Sequence, residues 1–335
     1  MFIPPHRLPL LITGVAGVAG YNALDYFHLR YPGQVVGIRQ QNNWRLRGPH
    51  VAACNAEDPV ELARLFEEHE FRSVLNCAGN CALKACELDP RLAWRTNVEG
   101  LVNLLAQVVD RGARLVHTSI DLVFSGDDPN RQGHVETDQP DPLTVYGKTM
   151  VAAERLLADW YASACVLRIS LPMGISFNGH AGAIDWIQSR FANGRQATLY
   201  FDEIRTPTYT DCLNGLFEEL LASEEAGIYH AGGPERLSLY EIAQIVNRVG
   251  GYEPELLNGC PRVEAGPIPP RAGNVALKSA KLATALGRQP FAPWPVDANL
   301  RPTHREWHFE RDGEAGSPET LADLLYKNPQ LQISV

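Results

Sequence analysis

Several features are missing from this 335-residue chain, and each absence narrows what it does. No window reaches the roughly 18 unbroken apolar residues that a membrane helix needs, and the first residues carry no apolar core of a secretory signal. No basic surplus exists either, since the formal net charge is −9. A phosphate backbone needs a concentrated cationic surface, so nucleic acid is excluded as the expected partner. The seven cysteines form no CxxC pair, and no His–Cys cluster follows them. Cys77, Cys81 and Cys86 therefore read as reduced thiols, with no metal site expected and a cytoplasmic setting implied. Internal repeats and low-complexity tracts are missing as well.

What is present is an ordinary soluble composition, 45% hydrophobic and 21% charged, long enough for one large α/β unit and a smaller lobe. Short apolar runs alternate with longer amphipathic ones. The runs predict strands at Leu8–Thr13, Gln34–Ile38, His50–Cys54, Ser73–Asn76, Arg114–Thr118 and Cys165–Ile169. Helices are predicted at Val18–Arg30, Pro59–Glu68, Pro90–Asp110 and Tyr146–Tyr161, with Asp58 and Asp89 as N-caps ahead of proline. This alternation predicts a doubly wound parallel Rossmann sheet over residues 1–170, completed by a segment near 204–232. A smaller C-terminal substrate-binding lobe is expected from 171–203 and 233–335. Its Leu171–Ala197 stretch, rich in glycine and aromatics, reads as substrate-covering. Ser238 and Glu241 form a capping box opening a later helix. After about residue 289 prolines and charges dominate, and no element is assigned.

The strongest motif is the run Gly14-Val15-Ala16-Gly17-Val18-Ala19-Gly20. It follows the first apolar strand and opens a helical pattern, which is the context a dinucleotide loop requires. Its glycines permit a tight turn and close approach to a pyrophosphate, while the helix start offers free N–H groups. At the end of the second strand, where an NAD site usually places an acid, stands Arg39, with Arg45 and Arg47 nearby. A guanidinium suits a 2′-phosphate, so NADP(H) is the expected cofactor and NAD(H) the alternative. His117, inside an apolar strand, reads as a core histidine.

Further segments fall into a recognisable order. Asn55-Ala56-Glu57-Asp58 follows the third strand, and Asn76-Cys77-Ala78-Gly79 follows the fourth. Asn97-Val98-Glu99-Gly100, Thr118-Ser119-Ile120-Asp121-Leu122-Val123-Phe124 and Pro142-Leu143-Thr144-Val145-Tyr146-Gly147-Lys148 come next. Arg205-Thr206-Pro207-Thr208-Tyr209-Thr210-Asp211 and Pro270-Arg271-Ala272-Gly273-Asn274 complete the set. Together, from about Leu8 to Leu286, they resemble the dTDP-4-dehydrorhamnose reductases, extended short-chain dehydrogenase/reductases acting on nucleotide sugars. The resemblance implies that Asn55, Ala56, Cys77, Ala78, Gly79, Asn97 and Tyr146 join the glycine loop around the cofactor. It also implies that Asp121, Arg205, Tyr209 and Arg271 meet a nucleotide-sugar-like ligand, and that the helices near Pro90–Asp110 and Tyr146–Tyr161 form a homodimer interface.

The same resemblance exposes two breaks. A working member carries a proton-passing tyrosine, a lysine four residues later, and a serine or threonine on the substrate oxygen. Tyr146 fits the first role, but Met150 stands at the second position and Ile120 at the third. A cation about 5 Å from the phenol, at an effective dielectric near 20, contributes roughly 3 kcal/mol, or about two pKa units. Without it the phenol is a poor base but still an acid, which favours carbonyl reduction over alcohol oxidation. Ser119 and Lys148 are the candidate replacements. Ser119 points to the opposite face of an extended strand, and Lys148 lies about 200° around the helix from Tyr146. Lys84 is a further source of positive charge. Two functions follow: an NADP(H)-dependent reductase of a 4-keto nucleotide sugar, or a catalytically silent binding or regulatory protein. The family includes a non-catalytic regulatory subunit, so fold alone does not decide.

Overall fold

The computed structural model describes residues 2–311 and 316–332; residues 312–315 and 333–335 of the tail lie outside them. Six strands open the fold: β1 (Leu10–Thr13), β2 (Val35–Arg39), β3 (Val51–Ala53), β4 (Ser73–Asn76), β5 (Arg114–Ile120) and β6 (Cys165–Ile169). With Gly227–Ala231 added beyond β6, they form one seven-stranded sheet ordered 227–231, β6, β5, β4, β1, β2, β3. Every pairing in it is parallel. The chain winds outward from β1 to β3, then returns to place β4 on the other side of β1. That reversal opens a crevice beyond the carboxyl ends of β1 and β4, where open α/β sheets take their ligands.

Successive side chains of β1 leave opposite faces of the sheet, as a pleated strand requires. Leu10 and Ile12 join Phe27 of α1 (Val18–Arg30) and Phe217 of the later helix Thr210–Ala222. Leu11 joins Phe66 of α2 (Pro59–His69) and the helices of the other face. Both faces of β1, β4 and β6 are buried, which explains why their side chains are mostly apolar on both faces. The expected caps form: Asp58 accepts from the N–H groups of Val60 and Glu61, and Asp89 from those of Arg91 and Leu92.

One predicted helix is not regular. The Pro90–Asp110 stretch is α-helical over Pro90–Trp94, widens to a π-turn at Arg95–Glu99, and resumes as α-helix over Gly100–Arg111. The helix after Thr144 spans Val145–Trp160; the Thr144 side chain caps it by accepting from Gly147 N–H.

A second core lies beyond the sheet. Helix Leu239–Val249 carries the predicted capping box of Ser238 and Glu241. It packs with Ala183–Ala192 and with tail residues Trp294, Trp307, Leu321 and Leu325. Trp294 is fully buried, and its indole N–H donates to the Leu325 carbonyl at 2.9 Å. Among the described residues no helix is long and apolar enough to cross a membrane.

Candidate active site

The crevice is built from two turns that touch. Gly14 adopts φ +67°, and a Cβ there would lie 2.2 Å from the Cys77 carbonyl oxygen. The turn after β1 therefore packs backbone to backbone on the turn after β4, and only glycine allows it. Gly20 is equally constrained, since its Cβ would meet the Gly14 carbonyl at 2.4 Å. Thr13 Oγ1 and Asn76 Oδ1 both accept from Ala78 N–H, which fixes the second turn. Asn76 in turn donates to His117 Nδ1 at 2.8 Å. Burial pushes the His117 pKa down to about 4, so this imidazole is a neutral core group.

The members of the glycine run divide by role. Gly17 is the N-cap of α1 and offers no side chain to its free N–H groups; with Val18 and Ala19 it lines the cleft. Val15 is buried against Gly37 and Leu24, inside the core. The Ala16 carbonyl accepts from Phe177 N–H. Cys77, Ala78 and Gly79 line the cleft from the β4 side. The cleft itself encloses about 970 Å³ between the sheet and the second lobe, in the range of small-molecule sites.

Tyr146 reaches this space from the first turn of its helix, which lies so close to the 121–123 turn that a Cβ on Gly147 would sit 2.2 Å from the Leu122 carbonyl. The ring is buried, yet its hydroxyl lies 4.0 Å from the Cβ position of Gly79 and has no hydrogen-bond partner among the described residues. Burial, followed by the nearby Cys81, Asp121 and Cys86, holds its pKa well above the ordinary phenol value. The phenol is thus held in its protonated form.

Neither candidate replacement group reaches it. Lys148 is exposed on the outer face of the helix and does not line the cleft. Ser119 borders the cleft, but its hydroxyl donates to Glu154, which is itself paired with the buried Arg168. Met150 is 3% exposed in an apolar cluster with Cys86, Leu122 and Phe124, and Ile120 lines the cleft wall. Asn97 sits in the π-turn, where its Oδ1 accepts from Asn80 N–H and its amide donates to Thr149 Oγ1. It ties the cleft turn to the tyrosine helix, with its Oδ1 3.7 Å from the Cβ position of Gly79.

On the opposite wall, four charged groups form a chain. Arg205 donates to Asp121 Oδ1 and to Glu203 Oε1, both at 2.6 Å. Arg271 donates to Glu203 Oε2 at 2.8 Å and lies over the Tyr200 ring. Arg205, Arg271, Glu203 and Tyr200 line the cleft. Asp121 is fully buried behind Arg205 and also accepts from Ser170; burial raises its pKa against the pull of Arg205. Glu203 was not among the residues expected here. The signal was available, because Glu203 and Arg205 are two apart in an extended stretch and share a face. Tyr209 is a correction: it is buried in the second core, where its hydroxyl donates to the Leu324 carbonyl and accepts from Val296 N–H.

At the far end of the cofactor groove, Arg39 donates to the carbonyls of Gln40 and Gln41, while its Nε is buried without a partner. Asn55 Oδ1 accepts from Gln41 N–H, and the Ala56 carbonyl accepts from Asn103. These three stand apart from the cleft that Tyr146 opens into. An open helix start beside a glycine turn suits the diphosphate of a dinucleotide.

A family model described as the RmlD substrate binding domain matches residues 10–298. The chain belongs to that family. This RmlD-family chain is 28% identical over 255 residues to methionine adenosyltransferase 2 subunit beta of Xenopus laevis, covering 72% of this chain and 71% of the relative. It is 26% identical over 202 residues to a probable low-salt glycan biosynthesis reductase of Haloferax volcanii, covering 60% and 67%. Among solved structures, the dTDP-4-dehydrorhamnose reductase of Bacillus anthracis in complex with NADP aligns with a TM-score of 0.69 at 19% identity, over 85% of this chain and 95% of that one. The UDP-glucose 4-epimerase of Thermus thermophilus in complex with NAD aligns at 0.72 and 24%, over 84% and 93%. These structural likenesses establish a shared fold.

Proposed function

We propose that the protein reduces the ketone of a 4-keto nucleotide sugar, with NADP(H) as cofactor and NAD(H) as the alternative. The observation that carries this reading is the Tyr146 hydroxyl, buried, without a partner and open to the cleft beside the glycine turns. The N–H groups of Val18 and Ala19, at the start of the helix, would receive the dinucleotide's diphosphate, and Arg39 would face a 2′-phosphate. The bound dinucleotide supplies the hydride. Tyr146 Oη–H gives its proton to the ketone oxygen as the carbon accepts that hydride, and water returns the proton to the phenolate. Because burial keeps the phenol protonated, it starts in the form that donation to a ketone oxygen requires. Seven free thiols fit a reducing cytoplasmic setting.

Consumption of NADPH with a dTDP- or UDP-linked 4-keto-6-deoxy sugar tests it. Tyr146→Phe is expected to lower turnover by about 100-fold or more while NADPH affinity stays within about twofold. Turnover by the wild type should show no alkaline loss up to about pH 9, since the donor keeps its proton there. A Tyr146→Phe enzyme as fast as wild type would remove this hydroxyl from the chemistry.

A second reading is a silent binding or regulatory protein. Met150 and the committed Ser119 hydroxyl favour it, as does the likeness to a chain named as the beta subunit of methionine adenosyltransferase 2. NADPH binding without consumption of any keto sugar would select it.

A further inference from the structure

Resting on the nucleotide-sugar reading above, we infer that Lys84, and not the arginine pair, binds the anionic part of the substrate. The arginines lack the charge to do so. Asp121 and Glu203 contribute two negative charges, Arg205 and Arg271 two positive ones, and all four are linked by direct ion pairs. That wall is electrically neutral as built. Bringing a diphosphate to it would set two or more negative charges against two buried carboxylates, with both arginines already engaged. Among its donors Arg205 Nε is buried and unpartnered, which suits a neutral acceptor such as a sugar hydroxyl or a base carbonyl.

Lys84 differs in every respect. It is exposed, lines the same cleft, and has no ion-pair partner among the described residues. Residues 81–85 and 88, the short helix Leu83–Leu88 and its lead-in, line the cleft. Cys81, at the head of this segment, lies 4.0 Å from the Ala181 carbonyl. Lys84, three residues further, lines the same cleft as Trp186. A flexible ammonium at the mouth of a neutral cleft attracts a phosphate without the cost of breaking an existing pair.

The test is calorimetric binding of dTDP, UDP and thymidine to the NADP⁺-saturated full chain, wild type beside Lys84→Met, Lys84→Arg and Arg271→Met. Lys84→Met is expected to weaken one of the diphosphates about tenfold and to flatten its salt dependence, as loss of one charge-assisted contact predicts. Lys84→Arg should restore most of that affinity, and thymidine binding should not change. NADPH affinity should also be equal in wild type and Lys84→Met. Diphosphate binding that ignores Lys84, or falls further in Arg271→Met, overturns this inference and leaves the proposed function standing. Weakened NADPH binding in Lys84→Met assigns the cation to the cofactor and overturns it too. A wild type that binds neither diphosphate overturns both readings together.

Discussion

The two residues that break the family pattern are not equivalent. Ile120 lines the cleft and merely offers a methyl group where a hydroxyl is expected. Met150 belongs to the packing behind the cleft: it fills a space among Cys86, Leu122 and Phe124 that is closed to water. Restoring the lysine is therefore not a simple repair. An ammonium at Met150 would be stripped of water beside apolar side chains. Met150→Lys is expected to lose about 3 kcal/mol of stability in the cofactor-free protein. Urea unfolding measures this directly as a lower midpoint at unchanged slope. A midpoint equal to wild type would mean that the side chain reaches the cleft, and that the position is still open to its former role.

At the scale of elements, the tyrosine helix is held to the sheet by one buried charged chain. Ser119 on β5 donates to Glu154 on the helix, Glu154 accepts twice from Arg168 on β6, and Arg168 lies 3.2 Å from His230 Nε2. The Glu154 and Arg168 side chains are 4% and 2% exposed. Removing one charge leaves the other buried alone, so Glu154→Gln should cost about 3–5 kcal/mol. Pairing it with Arg168→Met should recover part of that loss, a coupling that a double-mutant cycle of unfolding measurements reads. Equal losses that simply add would show that the pair is not the link. Elements of this kind were largely legible in the sequence. The strands of the parallel sheet are short apolar runs bounded by turn residues, and Asp58, Asp89 and the Ser238–Glu241 box mark helix starts by their own hydrogen bonds. The π-turn at Arg95–Glu99 was not legible, because one extra residue per turn leaves the apolar spacing nearly unchanged. Tyr209 shows the other limit: a motif places a residue on a segment but does not say which way its side chain turns. The tail was unreadable for a related reason. Its prolines hide any period, and Trp294 finds its partner at Leu325, 31 residues further along the chain.

For the whole molecule, the surface carries a feature that the single chain does not explain. Leu105, Ala106, Val109, Asp110 and Trp160 line a shallow groove between the helices Gly100–Arg111 and Val145–Trp160. Val109 and Trp160 are 47% and 55% exposed there, and Trp94, at the start of the same helical run, is 47% exposed. Large apolar side chains grouped on two adjacent helices mark an association surface more often than chance exposure. We propose that a second copy of the chain covers them, a two-fold arrangement in which each helix pair meets its own counterpart. This pairing would also stiffen the element that carries Tyr146, since the same helix has its buried first turn in the cleft and its exposed end in the groove. Sedimentation at micromolar concentration should give about twice the monomer mass. Trp160→Asp, which sets a carboxylate in the centre of the contact, should give the monomer with an unchanged circular dichroism spectrum. A wild type that sediments as one chain would leave these side chains exposed for another reason and would separate the cleft's chemistry from assembly altogether.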